Sequence, residues 1–138
     1  MNKPLMMGLT LMMGVGLSAC ASKQAETSMD LANSRWYMSG DYYQIADIKL
    51  PAFNLEQNEQ GYKISGTTGC NNFFGQASWD GQQLIIEQPL ALTRKMCAGM
   101  ANTIEAEFVE AIAQPLTLDG EQLRLSNGAE FKRVPSND

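Results

Sequence analysis

Three cysteines and the absence of histidine bound the chemistry open to this chain of 138 residues. Cys70 and Cys97 lie in the body of the sequence, inside the segments GTTGCNNFFG (66–75) and TRKMC (93–97). A nucleophilic cysteine needs a base to form its thiolate. Without histidine the usual base, the His-based triads and the common zinc sets are all removed. A Cu(I) site is chemically sensible, because Met96, Cys97 and Met100 are soft ligands placed close together. Two free buried thiols are a further possibility. A Cys70–Cys97 disulfide would close a loop of about 26 residues and contribute roughly 3–4 kcal/mol on a chain-entropy account. Of these readings the disulfide is preferred, because the chain carries the marks of an oxidising compartment. Glu105 and Glu107 are a candidate acid pair, but two residues apart on a helix they face different ways and cannot converge on one substrate. No catalytic set, metal site or cofactor is expected.

The elements that must position these groups are mostly strands. YKISG alternates, with Tyr62, Ile64 and Gly66 on one face. FFGQASW places Phe73, Gly75, Ala77 and Trp79 on one face. Asp80-Gly81 then predicts a hairpin turn into a strand carrying Leu84 and Ile86 inward. Leu116/Leu118, Leu123/Leu125 and Phe131/Val134 are separated by Asp119-Gly120 and Asn127-Gly128, which predicts a closing meander. Strands are also expected over 35–38 and near Tyr42–Leu50, the second limited by Pro51. Between Trp36 and Gly66 the pattern is otherwise poor. One helix interrupts the strands. Ile104, Phe108, Ala111 and Ile112 form a single apolar stripe, Asn102 through Glu105 read as a capping box, and Pro115 stops the helix. The expected fold is α+β: a curved, mostly antiparallel, barrel-like sheet with one amphipathic helix packed across it.

The N-terminus reads as a secretory signal: Lys3, an uncharged apolar run from Leu5 to Leu17, then Leu17-Ser18-Ala19-Cys20. That tetrapeptide resembles the bacterial lipobox, which predicts lipidation at Cys20 and removal of residues 1–19. Two or more acyl chains hold a membrane stably. Ala21, where Gram-negative sorting uses Asp for inner-membrane retention, implies the outer membrane with the domain facing the periplasm. Residues 20–34 read as a lipidated tether, and 35–134 as one domain. Loss of Lys3 makes the mature chain one unit more acidic than the formal −5. An acidic balance excludes a polybasic nucleic-acid surface.

The segments SGTTGCNNFFGQASWDGQQLII, LTRKMC, IEAEFVEAI and LTLDGEQLRLSNGAEFKR together resemble the META/HslJ domain, the heat-inducible HslJ-type lipoproteins of bacteria. The shared pattern is a Gly-Cys-Asn turn with following Phe and Gly (Gly69, Cys70, Asn71, Phe73, Gly75) and a Thr–Cys segment (Thr93, Cys97). A helical Glu with its aromatic follows (Glu105 or Glu107 with Phe108), then a Leu-x-Leu strand (Leu123, Leu125). Trp36 matches the tryptophan near the family's domain start. The resemblance implies a curved antiparallel sheet, an envelope location and a link to heat or drug stress, and it carries no catalytic set. The function expected is that of a monomeric, non-enzymatic accessory lipoprotein that binds an envelope protein. The alternative is binding of a lipid or apolar drug, in a slot framed by Phe73, Phe74 and Trp79, or of a soft metal.

Overall fold

The computed structural model describes residues 31–39 and 49–135. Cys20, the signal segment and most of the strand expected near Tyr42–Leu50 therefore lie outside the described residues. Nine strands and one helix follow in the order β1 (Ser34–Ser39), β2 (Ala52–Asn58), β3 (Gly61–Thr67), β4 (Asn72–Trp79), β5 (Gln83–Ile86), β6 (Ala91–Leu92), α1 (Met100–Ile112), β7 (Leu116–Asp119), β8 (Gln122–Arg124) and β9 (Glu130–Arg133). All pairings are antiparallel, and the ring β1-β2-β3-β4-β5-β7-β8-β9 closes where β9 pairs with β1. The product is a closed antiparallel barrel with one helix packed against it, as the alternation and the lone amphipathic stripe led one to expect.

Closure removes the edges of the strands in the ring. Only β6 stands apart. It lies beside the first residues of β4, with Phe73 opposite Leu92 and Phe74 opposite Ala91. Its two residues are too few to carry a periodic pattern.

The interior is filled by large side chains that the strand period turns inward. Trp36, Phe53, Leu55, Ile64, Phe73, Leu84, Leu116, Leu123 and Phe131 are all buried. The buried Trp36 indole keeps its polar end satisfied: Nε1 donates to Ser34 Oγ at 2.8 Å, and Ser34 Oγ donates to the Leu31 carbonyl at 2.6 Å. Leu31 is itself in the core, so the folded domain reaches a few residues into the stretch read as tether. The helix contributes Ile104, Phe108, Ala111 and Ile112, the stripe expected from the sequence. Phe108 meets Phe73 of β4 at 5.4 Å and Phe131 of β9 at 5.9 Å between ring centroids. Those strands lie on opposite sides of the ring, so this one side chain bridges the barrel interior.

The structure differs from the sequence expectations at two elements. The strand after β1 within the described residues is β2, which begins directly after Pro51; Lys49 and Leu50 are not in a strand. A proline at the position before a strand costs no ladder bond. The helix begins at Met100 with Gly99 as N-cap and no side-chain cap, so Asn102 and Glu105 form no capping box and no acidic residue lies in the first turn. Glu105 is engaged elsewhere, as described next. Between β2 and β3 the backbones pass so closely that a Cβ on Gly66 would sit 2.0 Å from the Ala52 carbonyl oxygen, which only glycine avoids.

Candidate functional site

The turn from β3 to β4 carries the Gly-Cys-Asn motif, and it is built from its own hydroxyls. Thr67 Oγ1 accepts from Gly69 N at 3.1 Å and donates to the Asn71 carbonyl at 3.1 Å. Thr68 Oγ1 accepts from Asn71 N at 2.8 Å and from Cys70 N at 3.3 Å. Gly69 takes a φ of 94°, and a Cβ there would meet the Lys49 carbonyl oxygen at 2.9 Å. A glycine is therefore required by both conformation and space.

Asn71 is the hub. Its side chain is buried, and every hydrogen-bonding direction is used. Oδ1 accepts from Lys95 N at 2.7 Å and from Thr93 Oγ1 at 3.0 Å. Nδ2 donates to the Glu105 carboxylate at 3.0 and 3.1 Å and approaches the Lys95 carbonyl at 3.4 Å. The Lys95 N–H can only donate, which fixes which end of the amide is oxygen. Thr93 Oγ1 also accepts from Asn72 N at 3.0 Å. Glu105, on α1, receives the Thr68 hydroxyl, Asn71 N at 3.2 Å and the Asn71 amide. Its negative charge is balanced by three donors of one turn and by no cation among the described residues. Such charge-assisted bonds contribute about 1.5–3 kcal/mol each.

The covalent link reinforces the polar one. Cys70 and Cys97 form a disulfide with Cα atoms 6.0 Å apart, inside the usual range for such a bridge. The Cys97 sulfur is thus not a thiolate ligand, and Met96 is fully exposed and Met100 half exposed beside it. Among the described residues no cluster of His, Cys, Asp and Glu is placed to hold a metal ion. Phe73 lies in the core under α1, and Gly75 leaves the space that the Leu90 side chain fills. Phe74 faces outward, and Trp79 packs at the edge of the core. Phe73, Phe74 and Trp79 therefore do not frame a common slot. Glu107 does not share Glu105's surroundings, since only Glu105 meets the turn.

Disulfide, Asn71 and Glu105 together brace the β3–β4 turn, the segment 92–97 and the helix into one unit. That unit borders a cleft of about 450 Å³, open to solvent. One wall is Leu92, Thr93, Arg94 and Lys95. The other is the α1 face carrying Asn102, Glu105, Ala106 and Val109, with Asn71 at the base. The cleft was not legible in the sequence. Its helix wall (102, 105, 106, 109) has helical spacing but mixed polarity, and its strand wall is too short to show a period.

A family model described as META domain matches residues 29–138. Among solved structures, the chain is similar to the NMR structure of a protein from Burkholderia xenovorans. The two share 20% identity over 78% of this chain and 85% of that one, with a TM-score of 0.57, a likeness of fold. No curated protein matches the chain.

Proposed function

The chain belongs to the META domain family, and from that premise we propose that it is a non-enzymatic accessory lipoprotein of the Gram-negative envelope. In this reading Cys20 carries the lipid, the outer membrane holds the anchor, and the domain faces the periplasm. The protein acts under heat or drug stress by binding an envelope protein. The anchor is supported by Leu17-Ser18-Ala19-Cys20 and Ala21. The binding role rests on one observation above all. The motif residues Cys70, Asn71, Thr93, Cys97 and Glu105 are spent on bracing the walls of a cleft that is left open. Bracing of this kind lowers the ordering cost of association. Within the cleft Glu105 is the carboxylate, and its oxygens are occupied by the turn.

Binding of a lipid tail or apolar drug has less support. The barrel interior is filled by Trp36, Phe53, Phe73, Phe108 and Phe131, and the cleft, in which Leu92, Ala106 and Val109 are interspersed with Arg94, Lys95, Asn102 and Glu105, is open to solvent rather than enclosed. The proposal is tested by in-cell crosslinking and recovery of the tagged chain. An envelope protein captured reproducibly is the expected result, and recovery of no protein above background overturns the reading. Labelled fatty acid should enter the wild type and not Cys20→Ala; a labelled, membrane-bound variant would remove the anchor.

A further inference from the structure

We propose that the cleft binds an extended, acidic segment of the partner protein, which adds as a strand to the free edge of β6 and is covered by α1. This rests on the reading that the chain binds an envelope protein, and it names how.

The backbone of 91–95 sets the geometry. Thr93 N donates to the Asn72 carbonyl at 2.9 Å, one step beyond the Phe73–Leu92 pair that ends the β4–β6 register. In an antiparallel ladder, hydrogen-bonded and non-bonded pairs alternate. The main-chain groups of Ala91 and Thr93 therefore face β4, and those of Leu92 face away. Past the end of β6, Lys95 N is held by Asn71 Oδ1 of the β3–β4 turn. No hydrogen bond among the described residues uses the N–H or C=O of Leu92 or Arg94. β5 lies along the same side of β4, and its far edge is taken by β7. The far edge of β6 has no strand, and α1 stands across the cleft from it. In a barrel that has otherwise closed, this is the one strand edge left without a partner among the described residues.

The cleft suits an added strand. Its volume of about 450 Å³ falls within the ordinary range of about 300–1,000 Å³ for binding sites. Main-chain bonds to Leu92 and Arg94 would supply affinity, and alternate side chains would enter the cleft, as in recognition by strand addition. Residues 102, 105, 106 and 109 on α1 recur at helical spacing, so they present one continuous wall. Charge selects the occupant. Lys63 and Arg124 are paired with carboxylates, whereas Arg94 and Lys95, both exposed on the cleft wall, have no ion pair among the described residues. Two uncompensated cations on an otherwise acidic chain favour carboxylates on the incoming segment. The disulfide and Asn71 hold the strand wall in place before anything binds, so little order is lost on association.

The test uses the full-length, anchored chain in cells, with a photo-crosslinking residue at Met96, at Ala106 or, on the distant β2–β3 turn, at Glu59. Adducts from Met96 and Ala106, mapped by mass spectrometry to one acidic segment of one protein, are expected. A synthetic peptide copying that segment should then bind the full chain in detergent. Its affinity should fall at least about tenfold when alternate backbone nitrogens are methylated, and similarly on the double change Arg94→Glu, Lys95→Glu. Adducts from Glu59 alone would keep the partner and overturn the cleft. No adduct from any position would overturn the partner reading and this inference with it. Equal affinity for the methylated peptide would overturn strand addition, and in that case the cations at 94 and 95 serve only to protect the edge.

Discussion

Asn71→Ala should be the most costly single change in the motif. Truncation leaves the Lys95 N–H and the Thr93 hydroxyl without their acceptor, and removes one of the three donors that balance Glu105. The bond to the carboxylate contributes about 1.5–3 kcal/mol and a neutral bond about 0.5–1.5 kcal/mol. Thr93 and Lys95 are exposed and can recruit water, which discounts the neutral losses toward the lower figure. The expected cost is about 2–4 kcal/mol, a large share of the roughly 5–15 kcal/mol typical of a domain. At about 4–8 °C per kcal/mol for a domain of this size, the melting temperature should fall by at least roughly 10 °C. The assay is thermal unfolding followed by circular dichroism on the oxidised protein. Asn72→Ala is the control, since its exposed side chain makes no hydrogen bond among the described residues. If Asn71→Ala melts within about 2 °C of the control, the side chain is not the hub of the brace.

Reduction, or Cys70→Ser, should lower stability by about 3–4 kcal/mol, read as a shift of the urea midpoint with far-ultraviolet dichroism unchanged below the transition. Thiol titration of the unfolded, unreduced mature protein should find no free thiol. Gly66→Ala places a Cβ against the Ala52 carbonyl oxygen and should destabilise by the upper end of about 1–3 kcal/mol, measured by the same midpoint. Bonds from Gln83 N and Gln82 N hold the Asp80 carboxyl below its usual range. Its contribution is therefore fully present above the ordinary aspartate pKa and lost as pH falls through the lowered folded value. Amide exchange in the β4–β5 turn should quicken over that acid window in the wild type, and Asp80→Ala should lose the dependence.

What the sequence revealed, and what it hid, follows from range. The β4–β5 hairpin was visible because Phe73, Ala77, Leu84 and Ile86 alternate about an Asp-Gly turn, and both the signal and the structure are local. The helix stripe was visible for the same reason. β2 was obscured because Phe53 and Leu55 are followed by exposed Glu56, Gln57 and Asn58, the end of a hairpin with β3. Only pairing with β1 and β3 makes a strand of it. The capping-box pattern at Asn102–Glu105 misled, because a contact to a turn more than thirty residues away took the Glu105 side chain. The cysteine pair was legible from the cysteine count together with the expectation of an oxidising compartment. Asn71 read as an ordinary turn residue, because its partners at Thr93, Lys95 and Glu105 meet it only in the folded chain.

The central claim, that the braced cleft is where this chain meets its partner, is tested most directly by filling the cleft. Ala106 is an exposed helix residue on the cleft wall, so Ala106→Trp should occupy the space with little effect on stability. In-cell crosslinking of the anchored Ala106→Trp chain, with its melting temperature confirmed near that of the wild type, should lose the captured envelope protein. Capture at the wild-type level by a folded Ala106→Trp chain would contradict the account.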